Sequence, residues 1–203
     1  IKRIGIKPEK ISVIYEGYDS KLFKPVKDDT LVSSLRPYYL FVGTIQPRKN
    51  LERLIRAFAK TDKILVIAGS KGWLSDEIYV LPKRLGIEDS VKFLGYVPEK
   101  DLPILYSGAI ALVFPSLFEG FGLPILEAQA CGCPVLTSNL SSMPEVAGKG
   151  AICVNPYSVD DIVKGMERLQ DTGYRLQLIK KGFENIKRFS WEKCAKETLE
   201  VLG

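Results

Sequence analysis

A chain of 203 residues with 46% apolar and 26% charged side chains is long enough to bury roughly 70% of its unfolded surface as one domain, without disulfide or metal support. Its formal charge of +5 is modest and calls for no nucleic-acid partner, and with no run of about 18 apolar residues and no secretory signal at the start, a soluble cytoplasmic protein is expected. Histidine is absent, which removes the commonest general base and metal ligand, and the four cysteines, Cys131, Cys133, Cys153 and Cys194, match neither a paired zinc spacing nor a disulfide framework and read as small buried hydrophobes.

In chain order, Ile11–Tyr15 reads as a strand, Glu16–Gly17–Tyr18–Asp19 as a turn, and the stretch to Pro37 as loop, so residues 1–37 resemble a linker packing onto a main domain at 38–203. Beyond it, short apolar β-branched runs alternate with amphipathic segments. Strands are expected at Tyr39–Gly43, Ile64–Gly69, Val91–Leu94, Ile110–Phe114, Pro134–Thr137 and Ile152–Val154, all near-continuously apolar as in a parallel sheet covered on both faces. Helices are expected from an Asn50 cap to about Lys60, then at about Trp73–Leu85, Glu99–Tyr106, Pro124–Cys131 and Val159–Leu169. From about Tyr174 to Leu202 the pattern stays helical, broken near Phe189–Ser190, where Ser190 can cap a last helix. The fold class is therefore α/β: one Rossmann-like domain, mostly parallel, with helices on both faces and extra helices at the C-terminal end. The excess cations, Lys2, Arg3, Lys7 and Lys10 early and Lys180, Lys181, Lys187, Arg188 and Lys193 late, read as solvated surface, with contact to anionic lipid headgroups as the alternative.

In an open parallel sheet, ligands bind beyond the carboxyl ends of the strands. The segment after Phe114 is the richest such place. Glu119 and Glu127 bracket EGFGLPILE with seven residues between them. Pro124 suits a first helical turn and Gly132 the position past its end. Ahead of the helix, Gly120 and Gly122 let the amides of Phe121, Gly122 and Leu123 approach an anion that the helix dipole also favours. Phosphate fits that mouth, and the two acids would take hydroxyls on either side of it. After the first strand, Arg48 and Lys49 stand at a helix start against the dipole, a placement that a bound diphosphate would explain. No GxGxxG and no GxxxxGK[ST] is present, which disfavours a dinucleotide cofactor and a nucleoside-triphosphate hydrolase.

FVGTIQPRKNLERLIRAF, FLGYVPEKDLPILY and FPSLFEGFGLPILEAQACGCPV resemble successive motifs of the donor-binding half of GT-B retaining glycosyltransferases, in the large family that contains sucrose synthases and bacterial mannosyltransferases. The resemblance runs from about Ile11 to Leu202, and its PRKN version is most similar to mannosyltransferases of surface polysaccharide synthesis. It implies a donor diphosphate held by Arg48 and Lys49, the transferred sugar met by Glu119, sugar and phosphates held by the amides of Phe121, Gly122 and Leu123, and ribose hydroxyls bonded by Glu127. It also implies a base stacked at Gly95, Tyr96 and Val97, and an open cleft at Gly43.

The implied partners are a nucleotide-sugar donor, with GDP-mannose leading, and a glycan or lipid-linked acceptor bound by a second, N-terminal half, of which Ile1–Ile6 resembles the tail. That half usually supplies a histidine near the donor sugar. Glu16 stands where many relatives carry asparagine, a local turn change. No metal and no cofactor beyond the donor is expected, and the protein is expected in the cytoplasm or peripherally at the inner face of the membrane. Two other classes stay open: a sugar-nucleotide-binding module without chemistry, and a sugar-nucleotide epimerase, whose acid–base residues would have to be present.

Overall fold

A computed structural model describes residues 7–27, 32–35 and 37–203. Ile1–Ile6, read above as the tail of another domain, lies outside the described residues. Six strands, β1 (Tyr38–Val42), β2 (Ile64–Ala68), β3 (Val91–Gly95), β4 (Ala111–Phe114), β5 (Val135–Ser138) and β6 (Ala151–Val154), form one parallel sheet in the order β3-β2-β1-β4-β5-β6. The central strands β1, β4 and β5 are buried at every residue, which is why β1 and β4 are continuously apolar rather than alternating; β5 ends in the buried Thr137 and Ser138, and Thr137 donates to the Phe114 carbonyl at 2.9 Å. The outermost strands are more open, and Cys153 on β6 is exposed there.

The helices are α1 (Leu51–Phe58), α2 (Asp76–Arg84), α3 (Leu102–Gly108), α4 (Leu123–Ala130), α5 (Met143–Ala147), α6 (Val159–Arg168), α7 (Thr172–Ile186) and α8 (Trp191–Leu202). The connections leave the middle of the sheet in opposite directions, so right-handed crossovers deposit helices on opposite faces. One layer packs α1 against α2 and α6, and the other gathers α3, α5 and α7 around α4. Ser190 caps α8 as its position implies, accepting from the Lys193 amide at 3.1 Å. Phe23 and Val32, from the stretch before β1, are buried in the same core as the sheet residues.

Four local expectations are corrected. Ile11–Tyr15 forms no strand: it lacks a ladder partner, Val13 points to solvent, and Tyr15 is held by its ring against Phe121 and Phe189 at 6.3 and 5.5 Å. The helix read from Trp73 starts only at Asp76, because Leu74 takes φ +51 and cannot continue a right-handed turn. Asn50 stands at the N-cap position of α1, its carbonyl accepting the Leu54 amide at 3.2 Å, but its side chain does not cap the helix. It sits in the left-handed region itself, at φ 61, with its side chain turned away from the helix amides. Finally, Cys131 and Cys133 are buried as expected, but Cys153 is exposed and Cys194 partly so.

Candidate functional site

The strand order reverses between β1 and β4, and the loops leaving these two strands lie side by side at the carboxyl end of the sheet. They are tied together by main chain. The Leu117 amide donates to the Arg48 carbonyl at 2.8 Å, and Arg48 Nη1 returns a bond to the Phe118 carbonyl at 3.1 Å. Asn50 adds a third tie: its Nδ2 donates to the carbonyls of Pro115 at 3.0 Å and Pro156 at 2.8 Å, while its Oδ1 accepts from Arg53 at 3.1 Å.

Asn50 is buried, so Asn50→Ala leaves two carbonyls without a donor and puts a Cβ residue with no polar compensation at positive φ. It is expected to lower stability by about 3 kcal/mol, read from the urea midpoint, with Asn50→Gly recovering only the backbone part. An Ala variant that unfolds with the parent would contradict this tie.

The loops bring three charges into contact. Arg48 Nη1 lies 2.6 Å from Glu119 Oε2, and Lys49 Nζ lies 2.8 Å from Glu119 Oε1. Lys49 is 6% and Glu119 7% exposed, while the Arg48 side chain keeps 40% of its surface in water. Lys49 also lies over the Phe114 ring, 4.7 Å from its centroid. Burial draws the Lys49 pKa down, Glu119 opposes this, and Arg48 adds a smaller push downward. Two cations against one carboxylate leave a net positive cluster. Gly43, at φ +143, passes beneath it; a Cβ there would stand 3.4 Å from Lys49 Cε and Nζ.

Beside the cluster, Gly122 at φ 110 opens α4, with Pro124 in its first turn and no side-chain cap. Among the described residues the amides of Phe121 and Gly122 meet no protein acceptor, and a Cβ on Gly120 would meet nothing within 4 Å. The loop carrying them is clamped from behind. Ser141 and Ser142 donate to the Glu119 carbonyl at 2.7 and 3.1 Å, and Ser142 also engages the Phe121 carbonyl at 2.8 Å. The sequence reading missed these serines and all of α5. The Ser-Ser-Met-Pro run was the available signal, since serine before an N-terminal proline marks a helix start.

Of the remaining residues singled out in the sequence, Gly43, Tyr96 and Val97 line one cleft of about 200 Å³ together with Leu102, the first residue of α3. Gly95, at φ 70, ends β3 beside it. Glu127 belongs to a different contact. Its Oε2 accepts from the hydroxyl of Tyr106 on α3 at 2.7 Å. Burial pushes the Glu127 carboxyl up to about 7; the Tyr106 bond works against that rise and the Glu99 carboxylate adds a little to it. Burial likewise lifts the Cys131 thiol to about 12 and Cys133 higher still, so neither is a thiolate nucleophile near neutral pH.

A larger cavity, about 670 Å³, lies elsewhere: Lys149, Lys180, Lys181 and Arg188 border it, and it contains none of the residues of the cluster or the cleft. Size alone does not mark it as the site, because the convergent charges, free amides and strand ends all stand at the β1/β4 rim. Among the described residues no cluster of three or more acidic or cysteine side chains is suited to a metal ion. No helix among them is long and apolar enough to cross a membrane.

A family model described as "Glycosyl transferases group 1" matches residues 25–185. The chain is 41% identical over 171 residues to O-antigen chain mannosyltransferase B of Escherichia coli, covering 81% of this chain and 45% of that protein. It is 32% identical over 195 residues to the O-antigen chain mannosyltransferase RfbU of Salmonella typhimurium, covering 92% and 53%. Among solved structures, sucrose-phosphate synthase from Thermosynechococcus elongatus superposes with a TM-score of 0.86 at 30% identity, over 94% of this chain and 51% of that one. The chain spans about half the length of these curated relatives.

Proposed function

The chain belongs to the group 1 glycosyl transferases, and on that premise we propose that it is the donor-binding half of a retaining glycosyltransferase that moves mannose from GDP-mannose to a glycan or lipid-linked acceptor in surface polysaccharide synthesis. The observation that carries this reading is the convergence of Arg48 and Lys49 on Glu119 beside the open mouth of α4. Mannose is favoured because O-antigen mannosyltransferases stand among the most similar relatives.

In this reading an acceptor hydroxyl attacks the anomeric carbon on the face from which the diphosphate leaves, and its proton passes to the departing diphosphate oxygen as that bond breaks. The departing charge meets Arg48, Lys49 and the amides ahead of Pro124, with no metal ion, and one such preorganised donor is worth about 3 kcal/mol of barrier. Glu119 meets the sugar hydroxyls; its negative charge, already matched by two cations, does not repel the neighbouring phosphate as an isolated carboxylate would. Glu127 takes the ribose, and the base lies in the cleft of Gly43, Tyr96 and Val97, beside Gly95. The half that binds the acceptor is supplied by residues outside this sequence, and the whole enzyme works in the cytoplasm or at the inner membrane face.

Calorimetric titration with a panel of nucleoside diphosphates and their sugars tests the donor assignment. GDP and GDP-mannose are expected to bind most tightly, Arg48→Ala to weaken every diphosphate about tenfold, and Glu127→Ala to weaken ribonucleotides while sparing inorganic pyrophosphate. Equal binding of pyrophosphate by the parent and Arg48→Ala would remove the phosphate role. Transfer by the whole enzyme, followed by NMR of the anomeric proton, tests retention of configuration.

A further inference from the structure

Three buried tyrosines of this core spend their hydroxyls differently. Tyr38 donates to the Leu105 carbonyl at 2.7 Å and Tyr39 to the Met166 carbonyl at 3.3 Å, the ordinary way to satisfy a buried phenol. Tyr106, 0% exposed, instead donates to a side-chain carboxylate, Glu127. Its ring packs edge-on against Phe23 at 6.2 Å, a contact that a phenylalanine would make equally well. The hydroxyl is therefore the informative atom. A fold that needed only a satisfied phenol has no reason to place an acid beside it, since even a half-buried acid weakens the folded state once ionised.

The geometry shows what the pair can do. The phenol occupies Oε2 and leaves Oε1 free to accept, so the carboxylate is fixed in one rotation. Tyr106 lies one turn along α3 from Leu102, which borders the cleft with Tyr96 and Val97. One helix thus connects the wall of that cleft to the carboxylate.

We infer that Tyr106 is a positioning residue: its hydroxyl holds one oxygen of Glu127 so that the other is oriented toward the ribose hydroxyls of a nucleotide. This rests on the ribose role proposed above for Glu127. The titratable groups that face Glu127 are Tyr106 on α3, Glu99 ahead of it and Cys131 at the end of α4. Burial keeps the phenol and the thiol protonated at neutral pH, so the hydrogen bond from Tyr106 is what opposes the upward pull of burial and of Glu99.

The decisive measurement is the carboxyl titration of Glu127 by ¹³C NMR in the parent chain and in Tyr106→Phe. Loss of the hydroxyl is expected to raise the midpoint by about one pH unit. Fluorotyrosine at position 106, a stronger donor, is expected to lower it, and decides the matter if the phenylalanine variant does not fold. Calorimetry supplies the functional half: Tyr106→Phe should bind a ribonucleoside diphosphate about tenfold more weakly at neutral pH and inorganic pyrophosphate as before. An unmoved midpoint, or equal losses for both ligands, overturns the inference. A parent chain that binds no nucleoside diphosphate defeats the function proposed above, whereas the carboxyl titration still decides whether Tyr106 governs Glu127.

Discussion

Replacing Lys49 by methionine is expected to weaken nucleoside diphosphate binding about a hundredfold and to lower stability by about 3 kcal/mol. Both effects have one cause. Lys49 and Glu119 are each less than a tenth exposed and touch at 2.8 Å, so removing the ammonium leaves a buried carboxylate that only Arg48, partly screened by water, still neutralises. Glu119→Gln is expected to cost a similar amount from the other side, leaving Lys49 buried over Phe114 without a counter-charge. The double variant should recover most of the lost stability, since methionine and glutamine carry no charge to strand, yet bind diphosphate as poorly as Lys49→Met alone. Urea unfolding and calorimetry on the four proteins close the cycle. Strictly additive stability losses would show that the two groups do not depend on one another.

The second large effect has the opposite sign. Glu127→Gln is expected to stabilise the protein above neutral pH. The Glu127 carboxyl titrates at about 7 in the folded chain against 4.5 for the ordinary group, so between those values the folded state holds a proton that the unfolded state has released. The stability contributed by this group is fully present below 4.5 and is lost as pH rises through about 7. Glutamine stays neutral throughout. The gap between variant and parent should thus be near zero at pH 4, grow through neutrality and level off near pH 8 at about 2 kcal/mol, after allowance for the water that reaches a half-buried side chain. Thermal unfolding across that range reads it directly. A constant gap would mean that Glu127 is not the titrating group. If the gain appears together with weaker ribonucleotide binding, this position trades stability for recognition.

The sheet was legible because burial on both faces favours apolar residues in β1 and β4, so each of these strands announces itself as an unbroken apolar run, whereas β5 is apolar only at Val135 and Leu136 and buries Thr137 and Ser138. The same local signal misled at Ile11–Tyr15, where no ladder partner exists, a fact that composition does not carry. Asn50 was read as a cap because asparagine serves both at helix starts and at positive φ; only its bonds to Pro115 and Pro156, both remote in sequence, tell the two apart. Arg48, Lys49 and Glu119 were each identifiable from their loops. Their direct contact was not, because it depends on how β1 and β4 pair. Tyr106 escaped notice for the converse reason: an aromatic residue on the inward side of a helix looks like ordinary core until its hydroxyl is seen to face an acid.

The neighbouring placement of β1 and β4 also constrains the route by which the protein folds. These strands pair side by side, yet two whole strands and the helices between them intervene along the chain. Contacts of such high sequence separation form only after a large loop has been closed, which slows folding. Lys49 therefore emerges from a ribosome long before Glu119 and has no counter-charge until β4 docks. A growing chain that stops short of β4 carries Arg48 and Lys49 without the carboxylate that orders them, and the three-charge cluster cannot exist until the centre of the sheet has closed.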